Sequence, residues 1–221
     1  MICQESRKTI GRTNQPPIHF NFHAPGFGPN HCFHFDESDT RAHVVLHPLN
    51  NHPISEFMVD FTLHFSKLTT DPYFLSYAVP GTGKDNEFVI SLNNLWIGSV
   101  RVTTYPVQTV SVGEYRRFTM SVKHGQIFIY WDGKIFAKLQ TQRRTLRSGG
   151  IWLLAQDQDS FGGGFDATQR FVGKICNFRM WNHGLNENEL AEFFVNPNTT
   201  GSNMVFDNPP TYEYEKRNGA H

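Results

Sequence analysis

The chain has 221 residues, 20 Lys+Arg against 20 Asp+Glu, and a pI near 7.2, enough for one generous domain or a domain with an extension. A balanced charge removes the bulk electrostatic case for a nucleic-acid or anionic-membrane partner. No run of about 18 apolar residues exists to span a membrane.

Residues 1–30 carry Pro16-Pro17, Pro25-Gly26 and Gly28-Pro29 in a polar, helix-poor setting, which predicts an N-terminal extension before a domain over 31–221. MICQESRKTIGRT has no apolar core of a secretion signal. From residue 31, short alternating segments predict strands: HCFHFDES, AHVVLHP, EFMVDFTLHF, YFLSYAV, NEFVISL, RVTTYPVQTV, RRFTMSV, QIFIYW, KIFAKLQ, IWLLAQ and FVGKICNFRMW. Asp132-Gly133, between QIFIYW and KIFAKLQ, is the dipeptide of a two-residue type I′ hairpin. NENELAEFFVN predicts the one helix, with Asn186 as N-cap, Glu189 at the capping-box position, and Leu190, Phe193 and Phe194 on one face. Roughly ten strands, one short helix and 20 phenylalanines imply an all-β, two-sheet antiparallel jelly-roll sandwich.

The chemistry-bearing stretch is QDQDSFGGGFDATQ, residues 156–169. Its aspartates repel one another unless a cation, a helix N-terminus or solvent offsets the charge. Asp157, Gln158, Asp159, Asp166 and Gln169 offer the hard oxygens that Ca²⁺ takes six to eight of, and soft ligands are absent. Gly162-Gly163-Gly164 allows a sharp reversal that returns Asp166 and Gln169 toward the first pair. A solvated acidic loop is the competing reading. Asp85 and Asn86 of KDNEF, at the mouth of a strand, are the best-placed further ligands.

AQDQDSFGGGFDATQRFVGKICNFRMWNHGL closely resembles the corresponding segment of the pentraxin family, and CFHFDESDTRAHVVLHP, LHFSKL, FLSYAV, KDNEFVISL and NENELAEFF follow the family's order over roughly residues 31–215. The resemblance implies a flattened jelly roll of laminin-G-like, concanavalin-like type with two neighbouring Ca²⁺ ions per subunit. It assigns the first ion to Asp85, Asn86, Asp157, the Gln158 carbonyl and Asp159. The second would share Asp157 and Asp159 and add Asp166 and Gln169. It further implies a lectin-like pattern-recognition module of innate immunity, secreted, forming a homo-oligomer (a pentamer by family expectation), and binding a glycan or a phosphorylated or carboxylated ligand through calcium. Departures are visible. Aspartate stands at 157 and 166 where glutamate is usual, and Ser91 stands where a phenylalanine packs choline methyls. The family's two cysteines fall near Thr62 and Thr119, so its disulfide is missing. The alternative is a divergent pentraxin-fold structural or protein-interaction domain without small-ligand binding.

Other candidates are weaker. Eight of eleven histidines lie between His19 and His64, but their spacing matches no zinc motif. Cys32 and Cys176 sit on the first and last predicted strands of the domain, where either a bridge or buried thiols fit. Arg143, Arg144 and Arg147 form a short basic run that reads as a solvated turn or an anion contact. Asn198-Thr199-Thr200 is a glycosylation triplet. No nucleophile elbow, phosphate loop or zinc-protease motif suggests an enzyme.

Overall fold

The computed structural model describes residues 31–81, 85–103, 105–106, 109–142, 145–197 and 204–206, and the backbone of 212–215. The predicted extension 1–30, with His19 and His23, the Asn198 triplet, and Arg143 and Arg144 lie outside them.

Alternation of apolar and polar residues puts one face of each strand inward, and the strands form two antiparallel sheets, as the sequence predicts. The first runs β1 (Cys32–Phe35), β12 (Val172–Trp181), β3 (Phe57–Lys67), β8 (Tyr115–Lys123), β9 (Gln126–Trp131), β10 (Lys134–Gln140). The second runs β13 (Tyr212–Glu215), β2 (His43–Leu46), β11 (Ile151–Leu154), β4 (Tyr73–Ala78), β5 (Phe88–Ser91), β6 (Leu95–Ile97), β7 (Val100–Arg101). Between them lies a core of interlocked rings. Phe61 stacks on Phe118 and Phe178, while Phe65, Phe74 and Phe171 meet edge-on.

The turns follow their chemistry. Asp132 and Gly133 have φ of 51° and 69°, the positive pair of a two-residue hairpin, and His124-Gly125 makes a second one between β8 and β9. Among the described residues of the strand expected over 101–110, only Arg101 belongs to one. Val102, Tyr105 and Val110 instead drop into the core, and Pro106 has no N–H for a ladder. The short β6 and the closing β13 were not anticipated.

The helix α1 (Glu187–Val195) forms where its signals place it. The Glu189 N–H donates to Asn186 Oδ1 (3.0 Å) and the Asn186 N–H to Glu189 Oε2 (2.6 Å). Its Leu190, Phe193 and Phe194 pack with Met58, Phe128, Tyr130 and Trp181 on the outer face of the first sheet, forming a second, smaller core. Under that helix lies a polar centre. Asp60 accepts from Arg117 Nε (2.8 Å) and Nη2 (3.1 Å), Thr119 Oγ1 (2.7 Å) and Arg179 Nη2 (2.6 Å). Arg117 lies over the Phe193 and Phe194 rings, and Arg179 over Trp181 and Phe193. A bulge in β12 at Asn177 (φ 53°) supports this arrangement. The extra residue reverses the parity of the strand, so Phe178 enters the main core and Arg179 turns outward to Asp60.

Thr62 pairs with Arg117, and the residue opposite Thr119 is Asp60, so Thr62 and Thr119 are not opposed in the ladder and Thr119 instead donates to the buried ionic centre. A bridge is present elsewhere. Cys32 and Cys176 are directly opposed in β1 and β12, Cα atoms 4.0 Å apart, and are joined as a disulfide. This resolves the two alternatives left by the sequence and withdraws Cys32 from any histidine-rich metal set.

Candidate metal centre

Leu154 ends β11, and Ala155, at φ 72°, starts a reversal that no strand could make. The turn is fixed by hydrogen bonds. Gln156 Nε2 donates to the carbonyls of Thr40 (3.1 Å) and Ala42 (3.2 Å), and Ser76 Oγ donates to the Gln156 carbonyl (2.8 Å). The chain then doubles back over the outer face of the second sheet. Gln158, fully buried, donates through Nε2 to Ser76 Oγ and to the Ile151 carbonyl (both 3.1 Å), and its Oε1 accepts from the Gly162 N–H (3.1 Å). This side chain is a strut for the loop, leaving the backbone carbonyl as the group predicted to ligate.

Ser160 and Gly163 exchange backbone hydrogen bonds (3.2 and 2.9 Å), closing a tight turn. Gly164 has φ 76°, and a Cβ there would stand 3.0 Å from both Asp159 Cβ and the Ser160 nitrogen. Its lack of a side chain lets the returning arm lie against Asp159. Thr168 N–H and Oγ1 both donate to Asp166 Oδ1 (2.8 Å each), and the Tyr73 N–H donates to the Gln169 carbonyl (2.9 Å), anchoring that arm to β4.

The four predicted carboxylates feel one another. Burial, then the charges of Asp159 and Asp85, push the Asp157 carboxyl up to about 7, although its Oδ1 accepts from the Gln158 N–H (2.9 Å). Asp159 is raised by burial and by Asp166 and Asp85. Asp166, fully exposed, is held below the usual range by the Thr168 N–H and hydroxyl. Two amide oxygens complete the picture. Asn86 Oδ1 and Gln169 Oε1 are buried and have no hydrogen-bond partner among the described residues. An unpartnered buried acceptor costs about 1–3 kcal/mol, so such atoms call for a cation or a donor. Gln156 Oε1 shares this state beside the same loop. Among the described residues no three His, Cys, Asp or Glu side chains stand close enough to hold an ion by themselves. The donor set is thus carboxylates plus amide and backbone oxygens, the chemistry that suits calcium.

The sequence reading missed three neighbours. The Tyr73 phenol faces Asp157, and burial together with Asp157, Asp71 and Asp159 raises its pKa; an aromatic in an alternating strand gave no sign of this. Glu87, next to Asn86, is buried and paired with Arg147, so the basic run supplies an internal partner. Trp96 lies in the cross-strand row Leu153–Ser76–Val89–Trp96, which places it on the outer sheet face with Ser76, about 10 Å away across two strands. Ser91 is buried and donates to Asp71 Oδ1 (2.8 Å), so no apolar clamp stands there.

Two antiparallel sheets, a helix on one outer face and an acidic loop folded over the other define a jelly roll of the laminin-G-like, concanavalin-like class. The sequence profile of the Pentaxin family matches residues 31–218, and the chain belongs to that family. It is 29% identical to mouse serum amyloid P-component over 176 residues, 75% of this chain and 77% of that one. The pig serum amyloid P-component is 32% identical over 170 residues, 72% of each. A pentraxin fusion protein of Xenopus laevis is 43% identical over 90 residues, which cover 40% of this chain and only 21% of that longer protein. The native heptameric SAP-like pentraxin of Limulus polyphemus superposes with a TM-score of 0.56 at 14% identity, over 80% of this chain and 93% of that one.

Proposed function

We propose that this pentraxin-type domain is a calcium-dependent recognition module that captures an anionic or polyhydroxylated ligand through two bound Ca²⁺ ions. The observation that carries the reading is the pair of buried amide oxygens, Asn86 Oδ1 and Gln169 Oε1, without partners among the described residues. They belong to the two chain segments that also supply mutually repelling aspartates. Asp85, Asn86, Asp157, the Gln158 carbonyl and Asp159 would hold one ion; Asp157, Asp159, Asp166 and Gln169 would hold the other. Bound calcium offsets the carboxylate repulsion and offers open coordination positions to ligand oxygens. With Ser91 turned to Asp71, a choline group has no apolar seat at that position, whereas Trp96 offers a broad ring on the same sheet face to a sugar or carboxylated ligand. In this reading the loop's acids serve as ligands and not as the acid–base pair of a glycoside hydrolase, so we propose a binding role and no catalytic one.

We further propose a secreted homo-oligomer. The disulfide suits an oxidising compartment, and a ring would multiply weak single-site contacts. Native mass spectrometry counts the subunits, five by family expectation. Thermal melting tests calcium. Millimolar Ca²⁺ raises the wild-type midpoint over EDTA, and Asp159→Ala abolishes the rise. Identical midpoints in all four conditions would leave a structural or protein-interaction domain.

A further inference from the structure

A second polar centre, built from side chains outside the proposed ligand set, lies at the start of the strand that Asp85 and Asn86 precede. Glu87 follows Asp85 and Asn86 directly, and its side chain is 1% exposed. A buried carboxylate at the start of a strand needs donors on every side. Glu87 Oε1 accepts from the Arg147 N–H (2.7 Å), and Oε2 accepts from Arg147 Nε (3.1 Å), Arg147 Nη2 and Ser99 Oγ (2.9 Å). Arg147 Nη2 also donates to Ser99 Oγ (3.0 Å). Burial alone would raise the Glu87 carboxyl, but these bonds keep it below its ordinary range.

Arg147 is itself anchored. Its carbonyl accepts from Tyr77 Oη (2.7 Å), which in turn accepts from the Gly150 N–H (3.0 Å), and Leu146 bridges to Ile54. Four residues beyond Arg147, β11 begins, and β11 feeds Asp157 and Asp159. The level of contact along the strands matters too. Phe88 pairs with Tyr77, and Tyr77 with Trp152, so the Asp85–Glu87 turn stands at the Ile151 end of the sheet. That is where the doubled-back loop lands, through Gln158 Nε2 on the Ile151 carbonyl.

We propose that Glu87 and Arg147 form a positioning clasp that holds Asp85 and Asn86 against the Asp157–Asp159 loop and so sets calcium affinity. The clasp joins the two segments that supply the first ion's ligands, which are separated by β4 and have no direct backbone pairing. This inference rests on the calcium reading above. Arg147 is a surface residue with its side chain 42% exposed, so its removal leaves the core packing intact.

The test is calorimetric titration of the full chain with calcium chloride, alongside melting in EDTA, for wild type, Arg147→Ala, Arg147→Lys and Asp159→Ala. Arg147→Ala should weaken calcium binding at least tenfold per folded molecule, and Arg147→Lys, which keeps one charged donor, should recover part of the loss. A role confined to folding would lower the melting midpoint in EDTA and leave the binding constant of the folded fraction unchanged, which overturns the clasp. Equal affinity of Arg147→Ala and wild type also overturns it, while leaving the calcium reading standing. Absence of any wild-type heat that Asp159→Ala removes would overturn both.

Discussion

Replacing Asp60 by asparagine removes one negative charge from beneath α1 while keeping the side-chain shape. In the folded protein burial pushes the Asp60 carboxyl up, but the charges of Arg117 and Arg179 and the hydrogen bonds from Arg117 and Thr119 outweigh it and bring the pKa down to about 2. A folded pKa lowered from an unfolded value near 4 contributes stability that is fully present above pH 4 and is lost as pH falls through 2. A difference of that size corresponds to roughly 2–3 kcal/mol. The substitution would also leave two guanidiniums stacked on Trp181, Phe193 and Phe194 without their anion, and breaking a buried pair from one side typically costs about 3–5 kcal/mol. Urea unfolding at pH 7 should therefore show Asp60→Asn less stable by about 3 kcal/mol. The gap should narrow between pH 4 and pH 2 as the wild-type carboxyl protonates. A gap under about 0.5 kcal/mol at pH 7, or one constant down to pH 2, would refute the reasoning.

The Cys32–Cys176 bridge closes a loop with a sequence separation of 144, so Cys32→Ser should lower stability by up to about 5 kcal/mol on the chain-entropy account, read as a fall in the urea midpoint that reductant reproduces in wild type. Gly164→Ala forces a side chain into a left-handed position against Asp159, and should cost about 1–2 kcal/mol in melting experiments and weaken calcium binding. Asp157, raised to about 7, holds its proton in the folded state after the unfolded chain has released it. In EDTA, stability should therefore fall as pH rises from about 4 to 7, and Asp157→Asn should flatten that slope. For the same reason the calcium-induced rise in melting midpoint should be larger at pH 8 than at pH 6.

Local chemistry is what the chain made legible in advance. Asp132-Gly133 needed two positive φ angles, and Asn186 with Glu189 formed both halves of a capping box, because each device is complete within a few residues. The spacing of Asp157, Asp159, Asp166 and Gln169 around three glycines pointed to one loop, Asp85 and Asn86 at the mouth of a strand were the best-placed further ligands, and resemblance divided the set between two ions. What stayed hidden depends on register and distance. Nothing near Glu87 names Arg147, 60 residues on, as its partner. The bulge at Asn177 decides that Arg179 reaches Asp60, and a parity reversal leaves no mark in an apolar run such as ICNFRMW. Tyr73 read as core because the alternation of β4 records burial and not what the phenol meets.

The central claim is that Asn86, Gln169 and the four aspartates are an ion site. Equilibrium dialysis of the full chain against radioactive calcium at pH 8, with Asp159→Ala in parallel, tests it most directly. The account predicts two ions per chain for wild type and loss of binding for the variant. A wild-type chain that retains no calcium would contradict it.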